Sequence, residues 1–109
     1  MFSTQLRRGV LSFCVLALLQ RSECYGRELV QRLAALEGLD AGEGTLYPLL
    51  SRIHREGLVA TRWDTDGSGP PRKYYSLTEP GRAELRAFSS EWHTFRNTVD
   101  SLLGAPDEN

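Results

Sequence analysis

Between Glu79 and Leu103 the apolar residues Leu85, Phe88, Trp92, Phe95, Val99 and Leu102 recur at spacings of 3, 4, 3, 4 and 3. Such a heptad seam specifies a helix of about 24 residues, and it is narrower than the apolar face of an ordinary surface helix. Seams of this kind pack on a partner helix. A chain of 109 residues makes one ordinary domain. A helix this long is expected to extend beyond that domain and pack on a second copy. Gly104 and Pro106 end it.

The segment before the seam contains shorter elements. Arg7 and Arg8 precede an apolar run from Gly9 to Leu19. The run has the look of a secretory signal, but no small-x-small cleavage site follows it. It is also too short to span a membrane, which takes about 20 apolar residues. It reads as a first helix over 4–20, buried on most sides. Ser22–Gly26 reads as a turn. A second helix is expected over 25–36, with Leu29, Val30, Leu33 and Leu36 on one face and Gly38 as its stop.

The stretch GTLYPLLSRIHREGLV, Gly44 to Val59, gives a third helix. Leu46, Leu50 and Ile53 form its apolar face, and Thr45, Tyr47, Ser51, Arg52 and Arg55 its free face. Pro48 is tolerated only near a helix start, which puts the start close to Gly44. Leu58–Trp63 and Arg72–Thr78 read as two strands joined by the turn-rich Asp64–Pro71. The fold class is therefore mainly α with a small β-hairpin.

Composition excludes more than it assigns. Net charge is −1. Ten basic and eight acidic side chains lie from Met1 to Tyr75, against three and six from Ser76 onward, so the small basic excess sits in the first two-thirds. Cys14 and Cys24 read as free thiols in a reducing compartment. With His54 and His93 they match no zinc spacing, so no metal is expected. No nucleophile motif or phosphate loop is present, so neither catalytic residues nor a cofactor are expected.

Three helices, a hairpin and a long helix form the order of a winged helix-turn-helix followed by a dimerisation helix. In that arrangement the third helix enters the major groove of DNA. Hydroxyls and guanidinium groups on its free face suit phosphate oxygens and base edges. Arg72 and Lys73, beside the Gly/Pro loop, suit a flanking phosphate. The bland alternative is a solvated helix face. The rival function is a winged-helix module that binds protein rather than DNA.

Gly44-Thr-Leu-Tyr-Pro-Leu-Leu50, Glu56-Gly-Leu-Val59 and Pro71-Arg-Lys-Tyr-Tyr-Ser-Leu-Thr-Glu-Pro-Gly81 resemble the signature segments of PadR-type transcriptional regulators, in their compact branch. The resemblance implies a dimeric, cytoplasmic repressor released from DNA by a signal. It places DNA contacts at Gln5, Tyr25, Thr45, Tyr47, Arg52, Arg72 and Lys73; the free helix face adds Ser51. It also implies that Trp92 lies at the dimer interface, where facing copies sandwich flat aromatic compounds.

Phe88 and Phe95, one turn to either side of Trp92, extend that aromatic face, and Val99 continues the interface. A cationic planar ligand would gain a cation–π contribution there. Val15 or its neighbours on the first helix are expected to line the same cavity. The expected division is a DNA-binding domain over 1–78, a dimerisation helix over 79–104 and a disordered tail over 105–109. The partners expected are an inverted-repeat duplex, a second copy of the chain and a small aromatic effector, with no membrane.

Overall fold

A computed structural model of the chain describes residues 4–104, with side chains from residue 7 onward. The elements are α1 (Thr4–Arg21), β1 (Cys24–Tyr25), α2 (Gly26–Ala34), α3 (Glu43–Arg55), β2 (Val59–Asp64), β3 (Arg72–Leu77) and α4 (Glu79–Leu103). The fold is mainly α with a small β wing, in the order read from the sequence. The tail expected over 105–109 lies outside the described residues.

The core is one cluster. Leu11, Val15, Leu16 and Leu19 of α1 meet Leu29 and Leu33 of α2, Leu46, Leu50 and Ile53 of α3, and Val59, Tyr75 and Leu77 of the hairpin. Leu85 is the one residue of the α4 seam that joins this buried cluster. Burying a leucine of this kind stabilises by about 1.5–3 kcal/mol, so the apolar run of α1 is a main source of the fold's stability.

Three local expectations need correction. The sheet has three strands in the order β1-β3-β2, all antiparallel, because Cys24 and Tyr25 pair with Tyr75 and Tyr74. The segment expected as a turn thus contains a short edge strand whose Cys24 side chain enters the core. Helix α2 stops at Ala34, and the Leu36 N–H donates to the Leu33 carbonyl in a tighter turn. Helix α3 starts at Glu43, which makes Pro48 its sixth residue, beyond the first turn. Pro48 cannot donate to the Gly44 carbonyl, but Gly44 is exposed and water can take that role.

Three elements meet at one junction. Gly57 ends α3 at φ +80°, a conformation that favours glycine. The Thr78 hydroxyl donates to the Gly57 carbonyl at 2.7 Å and accepts the Gly81 N–H at 3.0 Å, capping α4. The Thr78 N–H donates to the Leu58 carbonyl at 3.1 Å. Gly81 lies so close that a Cβ there would stand 2.1 Å from that carbonyl oxygen.

The obstacle is backbone, so it cannot swing aside as a side chain would. Gly81→Ala is expected to lose about 2 kcal/mol or more of stability by urea unfolding, because α4 must lift off the hairpin. An unchanged urea midpoint would show that the junction is looser than this packing implies.

Candidate nucleic-acid interface

Helix α3 is amphipathic in the sense expected. Leu46, Leu50 and Ile53 are buried, while Thr45, Tyr47, Ser51, Arg52 and Arg55 are exposed. Arg52 pairs with Glu56 at 3.6 Å with both side chains about half exposed. Such a pair is worth less than about 1 kcal/mol, so the guanidinium is readily transferred to another anion.

Beside this face lies a concavity of about 650 Å3, walled by α2, α3 and the wing. It gathers Tyr25, Tyr47, Arg72 and Lys73, which are distant in sequence. Thr45, Ser51 and Arg52 stand outside it on the open helix face. Gln5 lies outside the residues whose side chains are described.

The concavity also holds Arg27, Gln31 and Trp63, which the sequence reading did not select. Arg27 and Gln31 stand four apart on α2 and share a face. Trp63 falls two residues after Thr61 and so shares its face of β2, and that period of two was the available signal. Three cations and no carboxylate line the space. Burial pushes the Tyr75 phenol, at its inner wall, up from the ordinary value, so that ring stays neutral.

Stacking fixes the wing against β1, just ahead of α2. The Arg72 guanidinium lies 4.8 Å from the centroid of the Tyr25 ring, and Tyr25 meets Tyr74 edge-on at 5.5 Å. Arg62 covers Tyr74 at 4.7 Å and also grips Glu23 through two donors. That pairing holds the Glu23 carboxyl below its ordinary range and raises the Arg62 guanidinium further. Arg62 is therefore a structural cation, while Arg72 and Lys73 make no ion pair among the described residues.

A second feature lies on the opposite side, away from the wing. A cleft of about 360 Å3 runs between α1 and α4, lined by Phe13, Cys14, Ala17 and Gln20 on one side and Leu85, Arg86, Phe88, Ser89 and Trp92 on the other. Phe13 and Phe88 stack at 3.9 Å and 4°, and Phe88 and Trp92 lie 6.0 Å apart at 21°. Val15 is not part of this wall. It is 0% exposed in the core, because α1 turns Phe13, Cys14 and Ala17 to α4 instead. Arg86 is the one charged residue lining the cleft, which suits a neutral or anionic ring better than a cationic one. Beyond Trp92 the seam is largely open among the described residues: Phe95 is 63% and Leu102 83% exposed, with Val99 half-buried.

A helix pair with a free polar face, an adjoining cationic wing and a long trailing helix define a winged helix-turn-helix. The comparisons identify which kind. The sequence pattern described as the "Transcriptional regulator PadR-like family" matches residues 15–87, and the chain belongs to that family. A PadR family transcriptional regulator from Eggerthella lenta DSM 2243 is 41% identical; the match covers 94% of this chain and 88% of that one, with a TM-score of 0.82. A PadR-like transcriptional regulator from Bacillus cereus strain ATCC 14579 is 35% identical over 94% of this chain and 100% of its own, with a TM-score of 0.84.

The negative transcriptional regulator PadR of Bacillus subtilis (strain 168) is 30% identical over 78 residues, which are 70% of this chain and 43% of that protein. Members of the family are transcriptional regulators rather than enzymes, and they bind DNA. No helix of the described residues is long and apolar enough to cross a membrane.

Gly26 is a sensitive test of the interface. A Cβ there would stand 2.6 Å from Cε1 and 3.1 Å from the hydroxyl of Tyr47. Gly26→Ala is expected to keep stability within about 1 kcal/mol, since alanine favours a helix. It should displace the Tyr47 ring and weaken DNA binding by about tenfold. Wild-type affinity in an anisotropy titration would show that the position of Tyr47 does not matter.

Proposed function

We propose that the protein is a dimeric repressor that reads an inverted-repeat operator and is released by a planar aromatic effector. The observation that carries this reading is the division of its surface. Cations and hydroxyls collect around α3 and the wing, and a largely exposed apolar seam runs along the outer half of α4. Two copies joined through Phe95, Val99 and Leu102 would hold two α3 helices about 34 Å apart, one turn of DNA.

Thr45, Tyr47, Ser51 and Arg52 would read the major groove, while Tyr25, Gln5, Arg72 and Lys73 would hold phosphates. The effector would lie in the α1–α4 cleft against Phe88 and Trp92, with Arg86 disfavouring a cation. Because α4 is capped by Thr78 at the base of the wing, a ligand that moves α4 would move the reading heads. It can relieve repression only by favouring a state unable to hold DNA.

The test is a titration of labelled DNA from upstream of the protein's own gene against a scrambled duplex, at two salt concentrations. The expected preference is about a hundredfold, with affinity falling steeply with salt. A planar aromatic acid should reverse binding and quench tryptophan emission in the wild type but not in Trp92→Ala. Equal weak binding to both duplexes, or a monomer by sedimentation at micromolar protein, would reject the reading.

A further inference from the structure

The wing carries an exposed indole that the cations beside it do not explain. Trp63 sits on β2 directly across from Lys73 and is 63% exposed. Most of a tryptophan's large apolar surface is thus in water, next to a hollow lined by three cations. Its neighbours there include Pro70, Pro71, Arg72 and Lys73 on the wing, and Tyr47 across the hollow on α3. Asp64, the next residue, lies on the opposite strand face and lines the cavity of the wing loop instead. A lining of three cations, several aromatic rings and no carboxylate suits a polyanion with apolar sugar faces better than it suits a protein surface.

We infer that Trp63 is a DNA-contacting residue of the wing. Its ring packs on a deoxyribose of the strand that flanks the α3 groove, and its indole N–H donates to a phosphate oxygen. The inference rests on the DNA-binding reading above and adds to it an uncharged anchor. A neutral contact has a distinctive signature. Removing a cation that neutralises a phosphate lowers both the affinity and its dependence on salt. Removing an indole lowers the affinity but releases no fewer counterions, so the salt slope stays as it was. A backbone contact also weakens operator and mixed-sequence duplexes by the same factor.

The experiment compares wild type, Trp63→Ala, Trp63→Phe and Lys73→Ala in anisotropy titrations across a salt series, with the upstream duplex and with mixed-sequence DNA. Trp63→Ala is expected to bind both duplexes about tenfold more weakly with the wild-type salt slope. Trp63→Phe should fall between them, and Lys73→Ala should lower the slope by about 1. Wild-type affinity in Trp63→Ala would overturn the inference. So would a weaker Trp63→Ala with a slope reduced as in Lys73→Ala, because the wing would then have moved and carried its cations away. Failure of the wild type itself to bind either duplex would defeat the DNA-binding reading and this inference with it.

Discussion

The close approach of Gly81 to the Leu58 carbonyl is the contact on which the rest of the architecture depends. It places the start of α4 directly against the base of the wing. Around it the Thr78 hydroxyl bridges the end of α3 to the first turn of α4 through Gly57 and Gly81. Helix α3, the wing and α4 therefore share one joint within a few residues. In the proposed dimer the spacing of the reading heads is fixed by where α4 meets its partner, and this joint transmits that spacing without slack.

The remaining organisation is a separation of chemistries. One side of the molecule presents hydroxyls, phenols and cations around α3 and β3, stiffened by the Arg72–Tyr25–Tyr74–Arg62 stack. The other presents stacked aromatic rings between α1 and α4. Net charge of −1 hides this, because no carboxylate lines the hollow itself, while many of the chain's carboxylates lie on α4 and the wing loop. The local lining of a surface, rather than the sum over the chain, decides what it attracts.

Much of this was legible in the sequence where periodicity is strong. The α3 alternation of Leu46, Leu50 and Ile53 with polar residues gave both the helix and its free face. The Gly/Pro loop marked the hairpin, and the heptad seam marked α4. Strand β1 was not legible, since two residues carry no period and Cys24-Tyr25 becomes a strand only by pairing with β3.

That Val15 faces the core while its neighbours Cys14 and Phe13 face the cleft was not legible, because an almost uniformly apolar helix does not reveal which of its faces meets the core. The seam likewise could not show that its first half packs on α1 within the chain while Phe95 and Leu102 stay exposed. Trp63 was overlooked because a lone aromatic in a strand usually belongs to a core, and only the geometry turns it toward the cationic hollow.

The most direct measurement of the central claim is a hydroxyl-radical footprint on DNA from upstream of the protein's own gene. Two recognition helices on a two-fold axis predict two protected stretches of the same pattern, their centres about one helical turn apart. A single protected stretch would mean that the chain reads DNA as a monomer and that the α4 seam serves another partner. Uniform cleavage, at protein concentrations where the chain is folded, would contradict the account and favour a winged helix that binds protein.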